Sequence, residues 1–202
     1  MEKPQKLKKQ TTAKEEAGKL LPGVPVSIYG HSMGGNIVFN YLLKRNQSVF
    51  KCAIIESPWL ALYKEKSKIE VIIAKILGFI SPKIAIHSRL NQDLITGIVD
   101  KSAEYRNDPF YHNRTSLRLF AGVKAGCAYA MKNASKLTLP VYLALGKYDQ
   151  IVSNKAIYEF IDHCGKNVQA KEYEAYHAIR KGSAVDEFFH DIIGYLNEYS
   201  IN

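Results

Sequence analysis

Short, mostly apolar runs alternate with stretches of helical periodicity towards both ends of the chain. Runs at 25–29, 52–55 and 141–145 lie next to turn or charged residues, which is typical of buried strands. The more mixed run Val168–Tyr173 is typical of an edge strand. Because a strand, a helix and a strand in that order form a right-handed parallel unit, the chain is expected to have an α/β fold.

Apolar residues spaced three and four apart predict the helices of these units. They include a short helix ending at Leu21 after a Thr12 to Glu15 capping box, a helix through 37–42, one at 153–164, and one at 185–196 behind a Ser183 cap.

The middle of the chain, residues 58–135, has a different pattern. From Tyr63 the apolar residues recur with helical spacing as far as Ile80, and Ser81-Pro82 ends the pattern. Further helical pieces follow, with a break at Asp108-Pro109 and no strand. We therefore expect three parts: a basic segment and short helix at 1–21, an α/β core at 22–57 and 136–202, and a helical insertion at 58–135.

Composition excludes several classes of protein. The 202 residues are 47% hydrophobic and 23% charged, which are the values of a globular domain and not of a disordered chain. No apolar run has the length of a membrane span, and the first ten residues, with four Lys, do not resemble a secretory signal. Three widely spaced Cys indicate reduced thiols and a cytoplasmic protein.

The net charge of +9 is concentrated in the middle of the chain. Residues 58–135 contain twelve Lys or Arg against six Asp or Glu. This surplus is either a solvated Lys-rich face or an attraction to anionic headgroups or an anionic substrate. No nucleic-acid-binding module accompanies it, so we expect no nucleic-acid partner.

Gly30-His31-Ser32-Met33-Gly34 fits the pattern G-x-S-x-G between a predicted strand and a predicted helix. That context favours a nucleophile elbow, in which Ser32 has a strained backbone and Gly30 and Gly34 avoid collisions. The helix N-terminus behind Ser32 favours negative charge. The alternative is a Gly-rich turn that binds phosphate or only packs.

A nucleophilic serine needs a base and an acid, and two later residues follow predicted strands. Asp149 follows the 141–145 run, and His177 follows Val168–Tyr173. Both loops are expected at the same sheet edge as Ser32. Alternatively, Asp149 only forms a turn, His177 lies on the surface, or Glu56 is the acid.

The remaining His residues are expected to be structural, with His31 packing or bonding locally. These others are His87, His112, His163 and His190. No set of residues has metal-ligand spacing, so no metal or cofactor is expected.

The motifs GHSMGG after PVSIY, LTLPVYLALGKYDQIV and EAYHAI resemble monoacylglycerol lipases and bacterial lysophospholipases of the serine-aminopeptidase-like group of α/β-hydrolases. The resemblance implies that Ser32 is the nucleophile, Asp149 the acid, His177 the base and the Met33 backbone N–H an oxyanion donor. It also implies that 58–135 is a lid that covers the acyl pocket and touches lipid surfaces. The helix that ends at Ile80, flanked by Lys, suits that contact; otherwise its apolar face packs in the core.

The chain departs from this family before Ser32. Only 31 residues precede it, with no strand and no H-G motif for a second oxyanion donor. We therefore expect the C-terminal portion of the fold, with 25–29 as an exposed edge strand available for self-association. Loss of one oxyanion donor typically costs about 100- to 1,000-fold in rate.

The expected function is hydrolysis of a carboxylic ester, a monoacylglycerol or a lysophospholipid. One alternative is a catalytically impaired fragment or pseudoenzyme. Another is an aminopeptidase-type amide hydrolase.

Overall fold

The computed structural model describes residues 13–81, 83–87, 91–109 and 113–200. In chain order the elements are α1 (Ala13–Leu20), β1 (Ile28–His31), α2 (Met33–Lys44), β2 (Ala53–Glu56), α3 (Lys68–Ile80), β3 (Ala85–His87), α4 (Asp93–Thr96), α5 (Val99–Asn107), β4 (Arg114–Ser116), α6 (Leu117–Asn133), β5 (Val141–Gly146), α7 (Asn154–Cys164), β6 (Val168–Tyr173) and α8 (Val185–Ser200). Short 3₁₀ turns occur between several of them.

A four-stranded sheet in the order β1-β2-β5-β6 forms the centre of the protein. Every neighbouring pair in it is parallel, and helices pack on both of its faces. The expected α/β fold is confirmed. The parallel register places the last residues of β1 and β2 side by side, since His31 is paired with Glu56.

The two faces of the sheet are covered unequally. On one face α2, α6 and α7 contribute to a core that contains Phe39, Leu143 and Phe160. On the other face α8 packs through Phe188 and Ile192. The side chains of the strands therefore point alternately into two apolar layers, as a buried parallel sheet requires.

The second face is incompletely covered beside β1. A groove there is lined by residues of β1 and α8, among them Tyr29, Phe189 and Leu196. In the described part of the chain no strand pairs with the outer side of β1. This strand is therefore an edge strand, as the sequence predicted.

The observed strands extend further towards their polar ends than the apolar runs predict. β1 spans Ile28–His31 instead of 25–29, and β2 spans Ala53–Glu56 instead of 52–55. The shift arises because His31 and Glu56 belong to the ladder, and an apolar run cannot reveal polar ladder residues. β6 has the predicted bounds and is the opposite edge of the sheet.

The segment between β2 and β5 is mostly helical, but the expectation that it contains no strand is wrong. β3 and β4 form an antiparallel pair in which Ile86 lies opposite Thr115. Strands of three residues are too short for an alternating pattern to be recognised.

The amphipathic helix of the middle segment, α3, begins later than its apolar pattern suggests. It starts at Lys68, because Ser67 and Glu70 form a reciprocal capping box with distances of 3.2 Å and 2.8 Å. The predicted cap at Thr12, the stop at Pro82 and the residue His112 lie outside the described residues.

The apolar face of α3 is largely exposed. The helix packs against α6 through the small residues Ala74 and Gly78, and a Cβ at Gly78 would approach the Arg118 backbone N to 2.8 Å. Phe79 is 90% exposed and Ile69 and Ile80 are each 70% exposed. Ordinary core packing therefore does not account for the apolar stripe of this helix.

Among the described residues, none of the helices combines the length and the hydropathy needed to cross a bilayer.

Candidate active site

Ser32 lies in a sharp turn between β1 and α2. Its φ of 54° and ψ of −119° place it in the left-handed half of conformational space, which costs energy for a side chain other than glycine. Backbone hydrogen bonds stabilise this turn: Ser32 N donates to the Glu56 carbonyl at 3.0 Å, and Trp59 N donates to the Ser32 carbonyl at 2.9 Å. The geometry is that of a nucleophile elbow.

Two glycines allow this turn to form: Gly30, as predicted, and Gly35, which was not predicted. A Cβ at Gly30 would lie 2.8 Å from the Gly34 carbonyl oxygen, and a Cβ at Gly35 would lie 2.9 Å from the Pro58 Cβ. The prediction that Gly34 avoids a collision is wrong, because a Cβ there meets no atom within 4 Å. Gly34 contributes its backbone to the close approach, whereas its own Cβ position faces open space.

His177 and Asp149 form a buried pair. The His177 Nδ1 lies 2.7 Å from Asp149 Oδ2, and both residues are almost inaccessible to solvent. The other carboxylate oxygen, Oδ1, accepts from the backbone N–H groups of Ile151 at 2.8 Å and Val152 at 3.0 Å. Since both oxygens have partners, the carboxylate is fixed in orientation and can fix the tautomer of the imidazole.

The loops after β5 and β6 are joined by their backbones. Lys147 N donates to the Tyr173 carbonyl at 2.9 Å, and Tyr148 N donates to the Ala175 carbonyl at 3.0 Å. A Cβ at Gly146 would lie 2.1 Å from the Tyr176 carbonyl oxygen, so only glycine fits there. The Asp149–His177 contact thus rests on two loops that approach each other at backbone distance.

A third segment supports the loop that carries His177. Ala178 N donates to the Ile95 carbonyl of α4 at 2.7 Å. The next glycine, Gly97, has a φ of +69°, and a Cβ there would lie 2.1 Å from the ring of Tyr176. The segment between β2 and β5 therefore contributes directly to the position of this loop.

The elbow and the His177 loop meet through His31. The imidazole rings of His31 and His177 have centroids 4.8 Å apart, and His31 Nε2 lies 3.3 Å from the His177 carbonyl oxygen. Within the described residues no hydrogen bond joins the Ser32 hydroxyl to His177. The His31 contacts place the His177 loop beside the elbow, and hydrogen bonds of catalytic groups often shorten only when substrate is bound.

Met33 is the first residue of α2. Its backbone N–H is one of the four at a helix N-terminus that have no acceptor within the helix. The helix dipole adds partial positive charge at this point. An anion that forms beside Ser32 could therefore accept a hydrogen bond from Met33.

Glu56, the alternative acid, forms no hydrogen bond with His177 in the described part of the chain. Its buried carboxylate accepts from Arg180 Nη1 at 2.8 Å, from the Arg180 backbone N at 3.2 Å and from the Tyr29 hydroxyl. Neither Tyr29 nor Arg180 was singled out from the sequence. The available signal was Glu56 itself, a carboxylate directly after an apolar run with no neighbouring cation in sequence.

The remaining His and Cys residues that the structure describes take no part in these contacts. His87 lies 3.2 Å from the Asn113 side chain, His163 bonds the carbonyl of Glu159 in α7, and His190 is exposed on α8. Cys52, Cys127 and Cys164 are buried free thiols. In the ranges that the structure describes, no three His, Cys, Asp or Glu side chains form a group suited to a metal ion.

Comparison with known proteins gives a family match over most of the chain. A family model described as "Serine aminopeptidase, S33" matches residues 8–181. The chain is 29% identical to a monoglyceride lipase of Rattus norvegicus over 79% of its own length, and it spans 54% of that enzyme. It is 24% identical to the phospholipase YtpA of Bacillus subtilis, covering 87% of this chain and 69% of that protein.

A solved structure shares this fold. The crystal structure of the Paleococcus ferrophilus monoacylglycerol lipase superposes with a TM-score of 0.82 and 28% identity. The similarity covers 94% of this chain and 77% of that one.

His31 makes the stability of the fold depend on pH. Burial lowers the pKa of His31 to about 4 and outweighs the opposite effect of the Glu56 carboxylate, whereas the unfolded residue has a pKa of about 6.5. Between these values the unfolded chain binds a proton that the folded chain does not. The free energy of unfolding should therefore fall by on the order of 3 kcal/mol as the pH drops from about 6.5 to 4. In His31→Gln that part of the decrease should disappear, as measured by urea unfolding at a series of pH values across this range. If the free energy of unfolding falls equally with pH in the two proteins, the assignment to His31 is contradicted.

Proposed function

Because this chain belongs to the serine aminopeptidase S33 family, we propose that it is a serine hydrolase of carboxylic esters, with a monoacylglycerol or a lysophospholipid as substrate. The observation that carries the proposal is the hydrogen bond of 2.7 Å between His177 and Asp149 beside the strained turn at Ser32. No cofactor takes part in this reaction.

Each residue of the site has one role in the proposed reaction. Ser32 Oγ attacks the acyl carbonyl while His177 Nε2 accepts its proton. Asp149 stays ionised, accepts from His177 Nδ1–H and stabilises the imidazolium. The Met33 N–H and the N-terminus of α2 stabilise the oxyanion of the tetrahedral intermediate.

Collapse of that intermediate completes acylation. His177 gives its proton to the leaving alcohol, and the acyl group remains bound to Ser32. His177 then takes a proton from a water molecule, which attacks the acyl-enzyme and releases the carboxylic acid. Ser32 regains its proton, so the two half-reactions return the site to its initial state.

An ester is favoured over an amide by the relatives. The names of the rat and Bacillus proteins are those of a monoglyceride lipase and a phospholipase, both of which cleave esters. The family description names an aminopeptidase, so amide hydrolysis is the second outcome of the activity test. A catalytically impaired protein is the third.

Residues 58–135 are proposed as a lid that contacts lipid surfaces. The exposed apolar residues of α3 support this, because they form a continuous stripe on one helix next to Lys66, Lys68 and Lys75. Apolar residues flanked by Lys bind at the boundary between headgroups and acyl chains, more strongly when the lipids are anionic. We accordingly propose a cytoplasmic protein that binds membranes peripherally.

Self-association through β1 is also proposed. The unpaired side of this strand and the apolar groove beside it, lined in part by Tyr29 and Phe189, support a contact between two copies. Exposed strand edges readily pair with another chain.

Turnover of p-nitrophenyl butyrate and of a 1-monoacylglycerol by the purified chain tests the enzymatic proposal. Ser32→Ala should reduce kcat/KM for both by at least about 10³-fold, because the nucleophile is lost. A fluorophosphonate should label wild-type protein at Ser32, identified by peptide mass spectrometry, even if turnover is slow. The exposed Ser48 provides the matched control, and Ser48→Ala should retain both turnover and labelling.

The outcomes of this experiment distinguish the three hypotheses: an ester hydrolase, an amide hydrolase and a catalytically impaired protein. Cleavage of an aminoacyl p-nitroanilide in preference to the esters would favour the amide hydrolase. Equal rates for wild-type and Ser32→Ala, with no label on Ser32, would remove the serine mechanism and leave the impaired protein.

Vesicle sedimentation tests the surface contact of α3. The double variant Ile69→Ser/Phe79→Ser should bind vesicles of 30% phosphatidylglycerol at least about tenfold more weakly than wild type, because burial of each apolar side chain contributes about 1.5–3 kcal/mol. Ile193→Ser, at an exposed position of α8, is the matched control and should bind as wild type does. Equal binding by all three proteins would exclude α3 as the contact.

Sedimentation velocity tests the contact through β1. Wild-type protein should show a dimer whose fraction grows with concentration, and Phe189→Lys should shift it to monomer because a charge would be buried in the groove. A wild-type protein that stays monomeric up to about 100 μM, far above the Kd of a stable dimer, would contradict the proposal.

A further inference from the structure

The proposed reaction does not use a fully buried carboxylate whose residue is bonded through its backbone to the turn at Ser32. Glu56 is the last residue of β2 and is 0% exposed. A buried charge is costly unless it is paired and hydrogen-bonded. The contacts of Glu56 are therefore informative about what this position does.

The backbone and the side chain of Glu56 reach different parts of the site. Its carbonyl accepts from Ser32 N at 3.0 Å, within the elbow. Its carboxylate accepts from Arg180 twice: Oε2 from the guanidinium at 2.8 Å and Oε1 from the backbone N at 3.2 Å. Arg180 follows His177 by three residues, so this one residue of β2 is bonded to the Ser32 backbone and to the loop that carries His177.

We propose that the Glu56–Arg180 pair positions His177 relative to Ser32, by joining the loop after β6 to the end of β2. This inference rests on the proposed function of His177. Glu56 and Arg180 are positioning residues and not catalytic ones, because the proposed reaction assigns neither of them a step at the reacting atoms.

The double contact explains why this pair is suited to the task. Asp149 fixes the Nδ1 side of the His177 ring and the axis along which it points. The Asp149 contact and the backbone hydrogen bond from Ala178 to Ile95 join this loop to the loop after β5 and to α4. Neither of these two elements bonds the Ser32 backbone, so they do not set the distance from His177 to Ser32. A second attachment beyond His177, to the strand that also bonds the Ser32 backbone, fixes that remaining distance.

Two neighbours complete the environment of the pair. The Tyr29 hydroxyl donates to Glu56 Oε2, and burial together with the Glu56 charge raises the pKa of this phenol, so it remains a donor. His31 contacts the carbonyl of His177 at 3.3 Å from the elbow side. The carboxylate is thus surrounded by donors from β1 and from the His177 loop.

The pair is asymmetric in burial, which determines the choice of variants. The Glu56 side chain is inaccessible, whereas the Arg180 side chain is 29% exposed. Removing one partner of a buried ion pair is strongly destabilising, so Glu56→Gln carries the greater risk of misfolding. Arg180→Gln removes the guanidinium contact at the more exposed partner, and Arg180→Lys retains the positive charge.

The matched control is a second carboxylate that accepts hydrogen bonds from a cation and a tyrosine. Asp191 on α8 is partly buried and accepts from Lys171 and from the Tyr173 hydroxyl, each at 2.6 Å. Among the described residues it forms no hydrogen bond with His177 or Ser32. Asp191→Asn should therefore lower the stability without changing the position of His177.

The test combines NMR spectroscopy with steady-state kinetics. In ¹⁵N-histidine-labelled protein, exchange of the His177 Nδ1 proton with solvent should be at least about tenfold faster in Glu56→Gln and Arg180→Gln than in wild type. It should return to within about threefold in Arg180→Lys and stay at the wild-type rate in Asp191→Asn. For ester hydrolysis, kcat should fall about 10- to 100-fold in the two Gln variants with KM changed less than about twofold, as expected for misplacement of a base.

Failure of the positioning role and failure of the proposed function give different results. Unchanged proton exchange and unchanged kcat in a folded Arg180→Gln protein would overturn the positioning role, whatever happens to Glu56→Gln. If no variant and no wild-type protein hydrolyses an ester, the proposed function fails. The proton-exchange rates still decide whether this pair positions His177.

Discussion

The parallel pairing of the strands is the constraint on which the site depends. Since His31 is paired with Glu56 in register, the residues that follow β1 and β2 emerge at the same edge of the sheet as those that follow β5 and β6. The strand register therefore brings side chains that are remote in the sequence close together, before any contact between those side chains forms. The 2.7 Å hydrogen bond between His177 and Asp149 is a consequence of this register and of the backbone contacts between their two loops.

Hydrogen bonds offset the energetic cost of a strained backbone and of buried ionisable side chains in the site. Ser32 has a strained backbone, and three ionisable side chains, Asp149, His177 and Glu56, are buried. Each of them has a partner: Asp149 accepts two backbone N–H groups as well as His177, and Glu56 accepts from Arg180. Buried polar groups with complete sets of partners favour a single arrangement, whereas incomplete sets would be costly.

The fold was predictable from the sequence because its signals are local. The apolar run at β5 and the mixed composition of β6 identify buried and edge strands, and the GHSMGG turn identifies the elbow. The short pair β3–β4 was not predictable, because a strand of three residues is too short to show an alternation of apolar and polar positions. The role of Gly35 instead of Gly34 was also hidden, since it depends on the contact with Pro58, which is distant in sequence.

The candidate site was only partly predictable for the same reason. Asp149 and His177 follow strands, so their loops could be located, but the contact of Glu56 with Arg180 spans 124 positions and has no sequence pattern. The exposure of the apolar stripe on α3 was likewise left open by periodicity, which gives the face of a helix but not what covers it.

The most direct test of the account is a crystal structure of the protein after reaction with an alkyl fluorophosphonate. The account predicts phosphorus bonded to Ser32 Oγ, its oxygen within about 3.1 Å of Met33 N, and His177 Nε2 within about 3.2 Å of the Ser32 oxygen with the Asp149 contact retained. An adduct on another residue, or a His177 imidazole beyond hydrogen-bond reach of Ser32 with no bridging water, would contradict it.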